Sequence, residues 1–254
     1  MMTATTQKIH THRYLLTAAQ CNAQSELSPA MLVQHVIEVA TEHADALGVG
    51  FKQLEADGNL WVLSRIAFEV KRYPRLLEEY SLSTWVESYN RHFSQRNFEI
   101  RGAGDEVIGY ARTIWVAINM NTRRPASLDH FDFLAELVSD KECPIAPPGK
   151  IRAIDPPQMC HPYSFQVSDI DVNRHVNSSR YVELIINQMD LDTYDNFYVS
   201  RFEIEFRHEA HYADDVEVCS AFAPDGKSLV SIINLAEKPI CLARTITLPR
   251  LISN

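Results

Sequence analysis

An internal repeat runs through this 254-residue chain. The segment WVLSRIAFEVKR begins at Trp61, and the similar segment FYVSRFEIEFRH begins 136 residues later, at Phe197. Further on, GYARTIWV from Gly109 matches CLARTITL from Cys241, and the tetrapeptide ARTI is identical in the two. Two matches in the same order are hard to obtain by chance, so the sequence predicts a duplicated domain.

Both halves predict the same order of elements: one strand, one long helix and then four strands. In the first half, HRYLLTA is followed by a helix that Ser28 caps, with Pro29 in its first turn and Gly48 near its end. In the second half, HPYSFQV is followed by SSRYVELIINQM, which repeats the helix with Asn177 or Ser178 as its N-cap. The runs after each helix are rich in β-branched and aromatic residues, as is typical of strands.

A proline-rich connection separates the halves and is predicted to be extended; its prolines are Pro144, Pro147, Pro148, Pro156 and Pro157. We place the domain boundary near residue 150, which divides the chain into units 1–150 and 151–254. A sheet that buries one face on a helix satisfies the layer rule for α+β domains. We expect an α+β fold of two antiparallel sheets, each wrapped on a long central helix, and the sheets could merge side by side to cover their edges. This arrangement resembles a hotdog unit duplicated into a double hotdog.

Composition argues against several classes of protein. A formal net charge of -9 makes broad contact with nucleic-acid phosphates unfavourable, because that affinity depends on clustered Lys and Arg. The five cysteines show no CxxC spacing, so we expect a reducing compartment and no structural disulfide. The N-terminal residues lack the apolar run of a secretory signal, and no stretch of about 18 apolar residues could span a bilayer. The sequence therefore predicts a cytoplasmic protein.

Three polar residues stand at alternate positions directly before the second helix. Asp171, Asn173 and His175 lie in SDIDVNRHVNSSRY, and in an extended segment their side chains would point to the same side. A histidine can act as a base near neutral pH, and a helix N-terminus can polarise a carbonyl oxygen. The alternative is a loop that only caps the helix. The first half reads AQCNAQSELS before its own capped helix, without this cluster, which favours a catalytic role.

Glu209 is a further candidate in the same half. Apolar residues mark one face of the strand before it, at Phe202, Ile204 and Phe206. Glu209 would lie on the opposite face if the alternation continued, and a charged face exposed to solvent is the alternative explanation. The repeat aligns Glu209 with Tyr73, so this carboxylate, like the Asp-x-Asn-x-His cluster, belongs to the second half alone.

Two segments of the second half, SDIDVNRHVNSSRYVELI and FEIEFRHEAHYADDVEV, carry a resemblance to a known family. They are similar to the helix-entry motif and the following strand and turn of the acyl-acyl carrier protein thioesterases. The resemblance covers essentially the whole chain, including the duplicated order and the Trp-containing strands of the first half. It implies hydrolysis of fatty acyl-acyl carrier protein to a free fatty acid and the carrier.

The resemblance also implies a role for each candidate. Asn173 and His175 would engage the thioester carbonyl or the attacking water. Glu209 would activate that water as a base, and Asp171 would hold the loop in orientation; whether Glu209 or His175 is the main base stays open. Some members carry a cysteine after the glutamate, but Ala210 stands here, so water attack is the simpler mechanism. Neither a metal nor a cofactor is required, and no GxSxG, phosphate-binding glycine loop or HExxH pattern occurs.

The first half, without these polar residues, is free to form an apolar pocket for the acyl chain. Ordinary core packing is the alternative for the candidate lining residues, which are Trp61, Phe68, Trp85 and Trp115. Docking of an acidic acyl carrier protein would need a local basic surface on this acidic chain. Two groups could supply it, though each could equally be a solvated turn: Lys71, Arg72 and Arg75, or Arg123 and Arg124.

Related activities stay open on the sequence alone. The chain could hydrolyse coenzyme A thioesters, hydrate enoyl thioesters, or bind acyl thioesters as a sensor without turning them over. The preferred acyl chain length and the formation of a homodimer are also undetermined at this level.

Overall fold

A computed structural model describes residues 8–128 and 132–250 of the chain. In the first half the elements are β1 (Ile9–Leu15), α1 (Pro29–Ala46), α2 (Phe51–Ala56), β2 (Asn59–Val70), β3 (Glu79–Tyr89), β4 (Phe93–Arg101) and β5 (Val107–Asn119). In the second half they are β6 (Met159–Ser164), α3 (Ser178–Ile186), α4 (Leu191–Asn196), β7 (Phe197–Phe206), β8 (Asp215–Phe222), β9 (Ser228–Leu235) and β10 (Lys238–Pro249). The predicted order of one strand, a helix and four strands is confirmed in both halves, with a short second helix added to each.

The ten strands form one antiparallel sheet in the order β1-β3-β4-β5-β2-β7-β10-β9-β8-β6. The two halves contribute equivalent strands in mirrored order, with β2 and β7 side by side at the centre. The prediction of two separate sheets is therefore not confirmed. Backbone hydrogen bonds between β2 and β7 satisfy two edges that separate sheets would leave unpaired.

The central seam joins the two copies of the repeated Ser-Arg strand. Arg65 lies opposite Glu205, with 3.4 Å between Nη2 and Oε1. Arg201 lies opposite Glu69, with 2.9 Å between Nη1 and Oε2. Because the repeat aligns the two arginines with each other and the two glutamates with each other, these ion pairs are equivalent across an approximate twofold axis. The repeated charges therefore link the halves.

The helices cover one face of the sheet, and α1 packs against α3. The main hydrophobic core combines buried residues of both helices with strand residues of both halves, so the two units share one core. Helix α1 begins as predicted, since the Met31 N–H donates to Ser28 Oγ at 3.2 Å, and Gly48 follows its end with φ +75°. None of the helices in residues 8–128 and 132–250 has the length and apolar character needed to cross a bilayer.

Helix α3 is shorter than predicted. It spans nine residues and ends at Ile186, where Asn187 is the C-cap, so Gln188 and Met189 lie beyond it. Asp190 then caps α4 by accepting a hydrogen bond from the Thr193 N–H at 2.7 Å. The apolar run alone does not reveal this break. The prediction of a long central helix in each half is therefore not confirmed, since α1 spans 18 residues and α3 nine.

The proline-rich connection crosses the face of the sheet opposite the helices. Cys143 and Ile145 pack there against Trp85, while Tyr80 and Leu82 on the same strand belong to the main core on the helical side. Trp85 therefore lies on the wrong face of the sheet to line a pocket beneath α1. Trp61, Phe68 and Trp115, the other three proposed lining residues, belong to or adjoin the hydrophobic clusters on the helical side.

The same connection covers charged residues of β7. Glu203 and Glu205 are 7% and 9% exposed. The Gly149 N–H donates to Glu203 at 3.3 Å, and the Ile151 N–H donates to Glu205 at 3.4 Å. The charged face of this strand is thus buried against backbone donors, and it is not the solvent-exposed face considered for it.

A disulfide joins Cys160 on β6 to Cys219 on β8. The two residues are direct partners in the β6–β8 register, with 4.1 Å between their Cα atoms. The expectation of no structural disulfide is wrong, because strand pairing brings together two cysteines that lie 59 positions apart in the sequence. Cys21, Cys143 and Cys241 are free thiols.

Candidate active site

The segment before α3, which we call the site loop (residues 171–175), is a compact turn. The Asp171 N–H donates to the His175 carbonyl at 2.8 Å, and Arg174 adopts φ +64°. One carboxylate oxygen of Asp171 accepts the N–H groups of Asn173 at 2.8 Å and His175 at 3.1 Å. The expected extended alternation does not occur, because Asp171 folds the loop around its own side chain.

The structure brings His175 and Glu209 together. Strand β7 ends at Phe206, so the turn before β8 places Glu209, and strand alternation does not. The Val176 N–H donates to the Ala210 carbonyl at 2.9 Å, which ties the site loop to this turn. The residues just before these two, His175 and Glu209, consequently meet with 3.4 Å between Nε2 and Oε2. Their side chains are 27% and 34% exposed, so water can reach them.

The other two candidates have different surroundings. Asp171 contacts the loop backbone through its carboxylate, which agrees with an orienting role. Asn173 is exposed, and within residues 8–128 and 132–250 its side-chain amide has no hydrogen-bond partner. Ala210 is fully buried and offers no nucleophile beside Glu209.

Asp169 anchors the site loop and was not identified from the sequence. It is 1% exposed, and its carboxylate accepts hydrogen bonds from the Tyr163 hydroxyl and the Gln166 N–H, both at 2.8 Å. Its other oxygen lies 2.6 Å from Arg180 Nε on α3, whose N-cap is Asn177. The acid therefore ties the loop to the helix. It extends the alternation of Asp171, Asn173 and His175 by one step toward the N-terminus, so the same pattern could have included it.

Two further side chains contact the pair. The ring of His211 packs edge-on against that of His175, with centroids 5.2 Å apart. Arg123, from the loop after β5 in the first half, forms an ion pair with Glu209 Oε1. The sequence suggested Arg123 only as a docking residue, since no local pattern connects positions 86 residues apart.

This arrangement can perform acid–base chemistry on water. A carboxylate beside an imidazole can accept a proton from a water molecule and help to return it to a leaving group. In the described part of the chain, the group with metal-ligand spacing is Cys160, Glu217 and Cys219, and two of its members form the disulfide.

The first half contains the same loop, at residues 22–26, which we call the first-half loop. The Asn22 N–H donates to the Glu26 carbonyl at 2.8 Å, and Ser25 adopts φ +58°. Asn22 Oδ1 accepts the N–H groups of Gln24 at 3.1 Å and Glu26 at 3.0 Å. Loop formation is therefore common to both halves, with Asn22 in the place of Asp171, and the comparison by sequence missed this.

The first-half loop is sealed by the second half. Glu26 forms an ion pair with Arg250, with 2.7 Å from Oε2 to Nη1, and these side chains are only 14% and 18% exposed. Gln24 donates to Asp195 at 2.7 Å. Tyr73, at the position of Glu209, donates its hydroxyl to the Val199 carbonyl at 2.8 Å. At these positions the second half carries acid–base groups, whereas the first half carries residues that contact the second half.

Comparison with known proteins assigns both halves. Residues 7–137 match the sequence model of the acyl-ACP thioesterase N-terminal domain, and residues 155–242 match that of the acyl-ACP thioesterase C-terminal domain. Palmitoyl-acyl carrier protein thioesterase, chloroplastic, of Gossypium hirsutum is 24% identical over 79% of this chain and 52% of its own length. Oleoyl-acyl carrier protein thioesterase, chloroplastic, of Coriandrum sativum is 26% identical over 77% and 58%. The chain thus spans about half the length of these plant relatives.

Solved structures share the fold over nearly the whole chain. An acyl-ACP thioesterase from Bacteroides thetaiotaomicron superposes with a TM-score of 0.88 at 30% identity, covering 95% of this chain and 98% of that one. The 12:0-ACP thioesterase from Umbellularia californica superposes with a TM-score of 0.84 at 19% identity, covering 96% and 98%. With both domain models matched and a 30% identical structure aligned end to end, this chain belongs to the acyl-ACP thioesterase family.

Proposed function

We propose that this chain hydrolyses the thioester of fatty acyl-acyl carrier protein, releasing a free fatty acid and the thiol of the carrier. The observation that carries the proposal is the 3.4 Å approach of His175 to Glu209 beside a loop that Asp171 orders. Membership of the family supports the substrate class, since the matched relatives are named for palmitoyl, oleoyl and 12:0 carrier thioesters.

In the proposed reaction, Glu209 accepts a proton from a water molecule as the water oxygen attacks the thioester carbonyl carbon. The carbonyl electron pair moves onto oxygen, and Asn173 and His175 donate hydrogen bonds to the developing negative charge. When that charge returns, the C–S bond breaks, and the proton held by Glu209 passes to the departing thiolate. Asp171 contributes by holding the backbone of Asn173 and His175 in place.

The two units would divide the work. We assign the acyl chain to a pocket in residues 1–150 and the chemistry to residues 151–254. Trp61, Phe68 and Trp115 are the aromatic candidates left for the pocket, since Trp85 lies on the opposite face of the sheet. A cytoplasmic location and a homodimer stay predictions, which cell fractionation and light scattering can test.

A thiol-release assay with purified protein tests the proposal. Palmitoyl, oleoyl and dodecanoyl carrier thioesters should each be measured, and at least one should be turned over. Glu209→Gln should lower kcat by about 10²- to 10⁴-fold, the usual contribution of a general base. His175→Ala should also remove most of the activity. Glu55→Gln on the exposed face of α2 is the matched control and should keep the wild-type rate.

The same assay separates the alternatives. Faster release from coenzyme A thioesters than from carrier thioesters would assign the chain to a different substrate class. Water addition to an enoyl thioester would indicate a hydratase, and saturable binding without thiol release would indicate a sensor. Full activity of Glu209→Gln would exclude that carboxylate as the base.

A further inference from the structure

Arg123 is held by a rigid turn at the end of β5. Asn119 Oδ1 accepts the N–H groups of Asn121 at 3.2 Å and Thr122 at 3.0 Å. The Arg123 N–H donates to the Asn119 carbonyl at 2.9 Å, and Arg123 itself adopts φ +57°. A non-glycine residue in this conformation is held by its surroundings. The first half therefore presents this guanidinium from a fixed backbone.

The guanidinium and His175 contact different oxygens of one carboxylate. Arg123 Nη2 pairs with Glu209 Oε1, while Glu209 Oε2 faces His175 Nε2 at 3.4 Å. A carboxylate held through one oxygen cannot rotate freely about its terminal bonds. Its second oxygen consequently stays directed toward the imidazole and the space that a water molecule would occupy.

The first-half loop also forms an ion pair with an arginine of the other half, but the acid there, Glu26, stands at the position of His175 and not at that of Glu209. There, Arg250 pairs with Glu26, and its Nε also donates to the Tyr194 and Phe197 carbonyls, each at 3.1 Å. Its side chain is 18% exposed, whereas that of Arg123 is 39% exposed. Within the described residues, Glu209 is the side-chain partner of Arg123. An arginine of one half thus meets an acid of the other half at both loops, but only Arg123 is accessible and directed at an acid–base pair.

We propose that Arg123 is a positioning residue for Glu209, contributed by the first half to the site of the second half. This inference rests on the proposed function, because it assigns Glu209 the role of base. Without the guanidinium, the carboxylate would sample orientations that do not face the water. Turnover would then fall while substrate binding stayed unchanged, because a positioning residue acts on the orientation of the base.

Neighbouring Arg124 supplies a matched control. It has the same charge and lies on the same exposed turn, and no contact with Glu209 is found in the part of the chain that the structure describes. Arg123→Ala should lower kcat by about 10- to 100-fold with KM within roughly twofold, as expected for a misplaced catalytic group. Arg124→Ala tests docking, because both arginines are candidates for it, and a positioning role of Arg123 predicts that Arg124→Ala does not share the loss of kcat. Lys52→Ala, which removes an exposed charge on α2, is the control for basal activity and should change kcat by less than about twofold.

Recovery of kcat in the Arg123 variants distinguishes a positioning role of Arg123 from a structural one. Arg123→Lys should recover part of the lost kcat, and guanidinium ion added at millimolar concentration should raise the rate of Arg123→Ala without affecting the wild type. Arg123→Gln, with a thermal unfolding scan of each variant, gives a second measurement if Arg123→Ala is unstable. A variant that unfolds at the wild-type temperature but is slow, and that guanidinium restores, supports the inference.

A small acyl thioester without the carrier protein separates positioning from docking. The loss in Arg123→Ala should be the same on this substrate as on the carrier thioester. A loss seen only with the carrier, or an equal rise of KM in Arg123→Ala and Arg124→Ala, would overturn the inference in favour of docking. Unchanged kcat in Arg123→Ala would also overturn it. An inactive wild-type protein would instead refute the proposed function, so the two failures are distinguishable.

Discussion

The site loop and the first-half loop have the same backbone and opposite uses. In each, one side chain accepts two backbone N–H groups and one residue adopts a positive φ. The residue directly after the loop, Val176 or Leu27, donates its N–H to the turn beyond the central strand. The side chains at the equivalent positions differ: Asp171, Asn173, His175 and Glu209 correspond to Asn22, Gln24, Glu26 and Tyr73. The proposed chemistry therefore depends on a few side chains placed on a backbone that the duplication supplies twice.

The two loops also differ in their exposure to solvent. Glu26 and Arg250 are mostly buried, whereas the side chains of Glu209 and His175 are 34% and 27% exposed. A buried charge is tolerated when it keeps its partner, as Glu26 and Arg250 do here. The first-half loop is therefore sealed at the contact between the halves, whereas the site loop stays open to solvent. This contrast predicts that equivalent substitutions in the two loops will affect different properties.

Among substitutions that keep Glu209 and His175, the largest effect is expected from the residues that order the two loops. Asp171→Ala removes the acceptor for two N–H groups and should lower kcat by about 10- to 100-fold, because it displaces His175 from Glu209. Asn22→Ala removes the same two hydrogen bonds from the first-half loop and should leave kcat unchanged. The thiol-release assay measures both.

Asp171→Asn sharpens this prediction. Asn22 already supports the same turn with an amide oxygen, so Asp171→Asn should keep the loop and most of the activity. If Asp171→Asn is as slow as Asp171→Ala, the negative charge of Asp171 matters to the reaction and its role is not limited to the backbone.

Local patterns in the sequence were sufficient for much of the fold. The caps at Ser28 and Asn177, the repeated element order and the antiparallel strands all follow from short-range preferences, and the structure confirms them. The single sheet does not follow, because pairing between β2 and β7 depends on contacts between residues about 136 positions apart. The disulfide was missed for the same reason, since strand register brings its cysteines together.

Part of the candidate site could be predicted from the sequence. Alternation suggested a common face for Asp171, Asn173 and His175, but a side chain that bonds its own backbone overrides alternation. The contact between His175 and Glu209 depends on one backbone hydrogen bond between loops, from Val176 to Ala210. The loops repeat at an offset of 149 residues and the strands at an offset of 136. A comparison at the offset of the strands therefore does not align the two loops, whereas one at 149 would have revealed the first-half loop.

A smaller effect, on stability alone, is expected from Glu26→Gln. The substitution leaves the guanidinium of Arg250 largely buried with backbone carbonyls as its acceptors. We expect a loss of about 2 kcal/mol in the free energy of unfolding, below the full cost of an unpaired buried charge because both groups retain some exposure. Urea unfolding measures the loss, with Glu55→Gln as the exposed control. Reduced kcat in a folded Glu26→Gln protein would contradict the division between a sealed loop and an active one.

The smallest effect is expected from His35, a buried histidine of α1. It stands at the position that Leu184 occupies in α3. His35 is 2% exposed, with Nδ1 2.7 Å from the Tyr80 hydroxyl and Nε2 3.2 Å from Gln20 Nε2. Burial, and secondarily the charge of His12, lowers the pKa of His35 from 6.5 to about 4. The folded protein thus keeps this imidazole neutral where the unfolded chain would bind a proton.

Because the folded pKa lies below the unfolded one, the unfolded state gains protons first as the pH falls from about 6.5 to about 4. The free energy of unfolding should decrease over that window, by about 1 kcal/mol near pH 5 after allowance for solvent screening. His35→Leu, which copies the second half, should show a weaker pH dependence of urea unfolding than the wild type. His208→Gln, at an exposed position, is the control and should keep the wild-type dependence. Identical pH profiles for His35→Leu and wild type would mean that the two helices differ in packing but not in proton linkage.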